Sequence, residues 1–195
     1  MKIKVISTIL ALLLLIPALA SCSGKPEEIT DQGYLASNEI VDYFFYYPEE
    51  WVMNVSNGML SVYAVKELSV QTDATNPEDG QAVGVYLRPN VSVTAFNLRA
   101  AEYPSVQNYW DMVQAQLEAT FTSFELLSQT ETKIADYDAF EFVYIAELSG
   151  VTYKYEQTIF FAKAMAYTVT FTSTPDAFDE FLSDVVHVKS TFAFK

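Results

Sequence analysis

The sequence predicts an α+β domain, an antiparallel β-sheet with two main helices packed on it. Three observations carry this expectation. Runs of β-branched and aromatic residues with a period of two recur between residues 41 and 173. One stretch, 105–124, switches to apolar spacings of three and four, the period of a helix with one buried face. The strands after it are joined by connections too short for parallel crossovers, so they are expected to pair antiparallel. The order strands, helix, strands, helix then places the helices on the sheet.

Residues 41–47 (VDYFFYY) read as a strand stopped by Pro48, and 51–56 (WVMNVS) as the next. Asn57-Gly58 is a hairpin signal. Residues 59–65 return, with Met59, Ser61, Tyr63 and Val65 alternating against Leu60, Val62 and Ala64. An acidic loop is expected at 73–80. Runs 82–87 and 91–98 are β-type and are separated by Arg88-Pro89-Asn90. Because proline interrupts a central ladder, that segment is expected at a sheet edge.

Val106, Tyr109, Trp110, Val113, Leu117, Phe121 and Phe124 supply the apolar face of the first helix, with Ser105 placed to cap it. In strand 139–148, Phe140, Phe142, Tyr144, Ala146 and Leu148 share one face. Ser149-Gly150 turns the chain into 151–162, and 166–173 follows. The last helix takes Thr174 as N-cap and Pro175 as its first residue, with Asp176, Asp179 and Glu180 near its positive end. Phe178, Phe181, Leu182, Val185 and Val188 form its buried face.

The amino terminus reads as a processing signal. Lys2 and Lys4 precede an apolar run, 5–16, and a small-residue approach, 17–21. The apolar stretch to Ala20 falls short of the roughly 20 residues that a membrane helix needs. Leu19-Ala20-Ser21-Cys22 resembles the bacterial lipobox. Cys22 is expected to accept diacylglycerol as a thioether and to become the first residue after cleavage. Two acyl chains make attachment long-lived where one does not. Polar residues 23–38 are expected to be a spacer reaching at most about 50 Å. The expected organisation is a signal peptide at 1–21, lipidated Cys22 and a flexible tether at 22–38, and one domain at 39–195. The expected location is extracytoplasmic, lipid-anchored to the outer face of the cytoplasmic membrane, or to an outer membrane where the cell has one.

After cleavage, nine basic residues would face 25 acidic ones, a formal charge of −16. Arg88 and Arg99 are the only arginines. Phosphate binding needs clustered Lys and Arg, so nucleic acid is excluded as a partner. The charge also repels anionic lipid, leaving the diacylglycerol on Cys22 as the expected membrane contact. Cys22 is the single cysteine, which excludes an intrachain disulfide and Cys-based metal clusters. Thirteen Tyr, 14 Phe and two Trp supply ample apolar surface for a core.

The aromatic strand running into Pro48-x-x-Trp51, the single long central helix and residues 166–173 (AYTVTFTS) before a final helix together resemble the PsbP-like family. Residues 190–194 (STFAF) resemble its closing Ser-Phe-x-Phe with one residue inserted. The resemblance covers residues 41–194. It implies an α/β/α sandwich and a role in binding or assembly rather than catalysis; fold alone does not fix function. No partner-contact residue can be carried over.

Catalytic constellations are sparse. His187, the single histidine, lies among Val185, Val186 and Val188 on the last helix and reads as a residue of the core margin. Asp176, Asp179, Glu180 and Asp184 are explained by helix electrostatics and a solvated face, and Asp136 and Asp138 by a turn around Tyr137. The 73–80 loop lacks the ligand spacing of a calcium loop, and Gly80 and Gly84 match no nucleotide motif. Tyr43, Tyr46, Tyr47, Trp51 and Tyr63 could form an aromatic sugar platform. The leading expectation is a non-enzymatic, lipid-anchored module, without a cofactor, that binds a protein or another envelope component. The alternatives are a carboxylate-dependent hydrolase of envelope polymers, and a carbohydrate- or cation-binding domain.

Overall fold

The computed structural model describes residues 29–56, 59–75, 82–98 and 103–195. In chain order the strands before the first helix are β1 Ile29–Thr30, β2 Gly33–Ala36, β3 Tyr43–Tyr47, β4 Trp51–Ser56, β5 Met59–Ala64, β6 Leu68–Thr75, β7 Ala82–Leu87 and β8 Asn90–Asn97. Helix α1 spans Val106–Thr120. It is followed by β9 Ser123–Ile134, β10 Tyr137–Leu148, β11 Val151–Ala162 and β12 Met165–Ser173. A 3-10 turn, Phe178–Phe181, leads into α2 Leu182–Ser190 and β13 Ala193–Phe194. Among the described residues the strands form a seven-stranded sheet in the order β4-β5-β8-β12-β11-β10-β9, a four-stranded sheet β1-β2-β3-β13, and a β6-β7 ribbon. The pairings are antiparallel, as expected.

Tight hairpins generate the β9–β12 meander. The pairs Ile134 with Tyr137, Leu148 with Val151, and Ala162 with Met165 each close a two-residue turn. All six turn residues, Ala135-Asp136, Ser149-Gly150 and Lys163-Ala164, have positive φ, the geometry that matches the twist of the flanking strands.

The pleat sends alternate side chains to two hydrophobic clusters. One contains Leu60, Val62, Val91, Val93, Phe160, Tyr167, Val169 and Phe171 of the large sheet, with Tyr43, Phe45 and Tyr47 of β3 and Val185 and Val188 of α2. The other contains Phe142, Tyr144, Ala146, Tyr155 and Ile159, with Tyr109, Trp110, Val113 and Leu117 of α1 and Leu87 of the ribbon. The helices therefore cover opposite faces. Phe142, Tyr144 and Ala146 share the α1 face, and Phe140 and Leu148 pack against the same cluster.

Several elements differ from expectation. α1 is capped by Ser105, whose hydroxyl accepts from the Asn108 N–H, but it ends at Thr120. Phe121 is buried beyond it, and Phe124 belongs to the edge strand β9. Strand β8 is not at an edge. It lies between β5 and β12, and Pro89 sits just ahead of it, where its missing N–H interrupts nothing and its carbonyl accepts from the Ala64 N–H at 2.8 Å. Thr174 does not cap the last helix; a turn and the 3-10 segment come first, and α2 begins at Leu182.

The expected spacer also contributes structure from residue 29 onward. β2 pairs with β3, Tyr34 against Tyr47, and Ala36 is fully buried. Gly33 makes this possible. Its φ is +103°, and a Cβ there would lie 2.5 Å from the Tyr47 carbonyl oxygen. Cys22, Arg99 and Asn57-Gly58 lie outside the described residues, as does the acidic loop beyond Thr75.

Candidate functional site

α1 is held at one side of its sheet face. Trp110 stacks on Phe142 of β10 at 3.9 Å with the rings 8° from parallel, and is itself fully buried. This seats the helix over β9, β10 and β11. The neighbouring strands β12 and β8 are left beneath its flank, and a cavity of about 370 Å³ opens there.

Its floor is a grid fixed by strand register. One row is Asn90, Thr172 and Tyr155; the next is Ser92, Thr170 and Gln157; the third is Thr94, Thr168 and Ile159. Neighbours lie about 4.8 Å apart across the strands and about 6.8 Å apart along them. The middle row continues into β5, where Ser61 pairs with Ser92. At the far end Ala166 lies between Phe96 and Phe161, and Tyr109 packs against both rings at 6.1 and 6.0 Å. Tyr109 and Val113 of α1 thus give the cavity an apolar wall opposite its hydroxyl and amide floor, and Phe96 of β8 closes the far end of that floor.

Gln157 is the unusual member. It is fully buried; its amide N–H donates to Thr170 Oγ1 at 3.3 Å, and Oε1 has no partner among the described residues. Turning the amide round would strand Nε2 instead, so one polar end faces the cavity unpaired. Of the described lining residues none is Asp, Glu, Lys, Arg or His. The ionisable ones are tyrosines, and burial keeps them neutral: Tyr109 is pushed up to about 12 by burial and then by Tyr103, and Tyr155 is raised by burial and then by Tyr153.

The residues singled out in the sequence are placed elsewhere. His187 reaches the Gln32 carbonyl at 2.7 Å; a carbonyl only accepts, so Nε2 carries the proton and ties α2 to the β1–β2 turn. Asp184 accepts from the Trp51 indole at 2.7 Å. Glu180 pairs with Lys66 at 2.6 Å, Asp179 with Lys154 at 3.5 Å and Asp138 with Lys133 at 2.7 Å. Asp136 and Asp176 are exposed. Tyr43, Tyr47 and Trp51 are buried, and Tyr63 lies under the Arg88 guanidinium, so the five aromatics do not form an open platform.

Two carboxylates do converge, on the α2 face: Lys189 donates to Glu141 at 2.7 Å and to Glu156 at 2.6 Å. The lysine between them makes this a structural bridge. Among the described residues no group of three or more His, Cys, Asp or Glu could hold a metal ion. No helix among them is long and apolar enough to cross a membrane.

No protein-family profile matches the chain, and no curated protein matches it. Solved structures do. Cyanobacterial PsbP (CyanoP) from Synechocystis is 14% identical, with a TM-score of 0.51 over 91% of this chain and 99% of that one. The Ran-binding protein Mog1p of Saccharomyces cerevisiae is 9% identical, with a TM-score of 0.52 over 82% and 94%. The chain is an α+β protein similar in fold to PsbP. A Bacteroides thetaiotaomicron protein is 15% identical, with a TM-score of 0.50; the match covers 84% of this chain and 49% of that one, so it spans about half of the larger protein. At these identities the likeness concerns fold alone.

The floor was missed in the sequence although its signal is present. Residues 90–94 (NVSVT) and 168–172 (TVTFT) alternate apolar residues with short polar ones. That pattern ordinarily marks a strand with one solvated face. Only the placement of α1 reveals that the polar face is covered.

Proposed function

We propose that the chain is a lipid-anchored, extracytoplasmic, non-enzymatic binding module, a PsbP-like α/β/α sandwich that takes a small ligand between α1 and its central sheet. One observation carries the reading: a cavity of about 370 Å³, within the usual size range of ligand sites, with an uncharged polar floor, an apolar wall and an unpaired buried amide. Binding fits this lining better than hydrolysis does, because the described lining holds hydroxyls but neither a carboxylate nor a histidine to act as a base.

Anchoring rests on the lipobox-like Leu19-Ala20-Ser21-Cys22. Two measurements test the proposal. In a bacterial host, the wild-type chain should incorporate labelled palmitate and Cys22→Ala should not; equal labelling would remove the anchor. A chemically diverse fragment library should raise the melting temperature of the full chain through contacts at Thr170 and Tyr109. If no fragment does so, the binding reading fails.

A further inference from the structure

The lining restricts the ligand by chemistry. A charged ligand would be desolvated against a described lining without a counter-charge, which is strongly unfavourable. A wholly apolar one would cover the hydroxyls of Ser92, Thr94 and Thr168 and the unpaired Oε1 of Gln157 without offering them a partner. The ligand must be uncharged, carry several hydrogen-bonding groups along one edge, and present an apolar face to the opposite wall. Hydroxyl spacing on a pyranose ring suits the floor, where donors and acceptors recur about every 5 Å across the strands. Its C–H face suits Tyr109 and Phe96, since aromatic faces attract weakly positive hydrogens.

We propose that the cavity binds one neutral sugar ring, a hexose or N-acetylhexosamine unit, with its hydroxyls on the Ser92-Thr170-Gln157 row and its C–H face toward Tyr109 and Phe96. This rests on the binding-module reading and narrows it to a ligand class. Gln157 Oε1 accepts from a ring hydroxyl, while the Thr170 and Ser92 hydroxyls serve as donor or acceptor as the bound epimer requires. The recognition differs from an exposed aromatic platform, because polar groups of the sheet itself select the ring.

The test uses the full chain, purified in a detergent without a sugar headgroup, by calorimetry and saturation-transfer NMR. The panel is glucose, galactose and N-acetylglucosamine, with glucose 6-phosphate and glucuronate as charged controls and toluene as the apolar one. At least one neutral sugar should bind, and the charged sugars at least tenfold more weakly. Gln157→Leu and Thr170→Val should each weaken the neutral sugar at least tenfold. Unliganded Gln157→Leu should melt no lower than wild type, because it removes an unpaired buried amide end; that separates lost recognition from lost folding. Binding of toluene or a charged sugar without any neutral one would overturn the sugar assignment and leave the binding-module reading standing. Silence across the whole panel would overturn it too, and the fragment library then decides the broader reading. Neutral-sugar binding unchanged in both variants would place the site elsewhere and overturn the assignment to this cavity.

Discussion

Strands β8 and β12 show two different chemistries on their two faces. Toward α2 they present Val91, Val93, Val169 and Phe171, all nearly inaccessible and packed with β3 and α2. Toward α1 they present Ser92, Thr94, Thr168 and Thr170 to a cavity. One backbone and one register thus build a closed face and an open one. Valine would match threonine in shape and avoid burying a hydroxyl, so packing alone gives no reason for the threonine row. The closed face supplies stability, and the cavity face keeps polar groups available.

The largest effect should come from removing the charged bridge on the closed face. Lys189 spans Glu141 and Glu156, and all three are largely buried. Burial is the main influence on Glu156 and raises its pKa, with Lys189 holding it back; burial pulls Lys189 down, but the two carboxylates outweigh that and raise it. Lys189→Met leaves two facing carboxylates and should destabilise by about 3–5 kcal/mol in urea unfolding at neutral pH. The Glu156 pKa then rises further. A carboxylic acid with a raised folded pKa binds more protons folded than unfolded, so the variant gains stability as pH falls. The gap to wild type should narrow between about pH 8 and pH 5. A gap independent of pH would mean that the bridge does not control Glu156.

A reciprocal pair compares the faces directly. Val91→Thr puts a hydroxyl between its apolar cross-strand neighbours Val62 and Phe171 on the closed face and should destabilise by about 1–3 kcal/mol. Thr94→Val, on the other face of the same strand, should stay within about 1 kcal/mol, since it exchanges a hydroxyl that lines the cavity for a methyl group of the same shape. Denaturation midpoints measure both. Equal losses would mean that the two faces are equivalent and that the cavity is ordinary core.

Elements with strong one-face burial were legible from residues alone. The spacing of Tyr109, Trp110, Val113 and Leu117 located α1, and Ser105 located its start. β9 was not legible, because as an edge strand it stays exposed through 127–131; Phe124, three residues after Phe121, reads as one more helical turn. Pro89 pointed to an edge because sequence shows that a residue lacks an N–H, but not whether that N–H would have had a partner. The cavity was half legible. Its hydroxyl alternation stands in residues 90–94 and 168–172, but the covering of that face depends on Trp110 meeting Phe142, two residues 32 apart in sequence.

The smallest effect concerns acid. At the rim of the closed face Asp42 accepts from Lys163 at 2.9 Å and from the Tyr167 hydroxyl at 3.0 Å, joining the start of β3 to the β11–β12 turn. Burial is the largest single influence and would raise its pKa, but the hydrogen bonds from Lys163 and Tyr167 together outweigh it and hold the carboxyl below its ordinary 3.8. An acid with a depressed folded pKa contributes stability that is present above 3.8 and lost as pH falls through the folded value. Asp42→Asn should therefore cost little at neutral pH, because the pair is half-exposed and screened, and its difference from wild type should vanish in strong acid. The cavity face should respond otherwise. Its described lining has no carboxylate, and Tyr109 titrates only near about 12, so ligand affinity should be flat from about pH 5 to pH 8. An affinity that falls in step with protonation of a carboxylate would mean that a charged group reaches the ligand, and the uncharged floor would then not be what selects it.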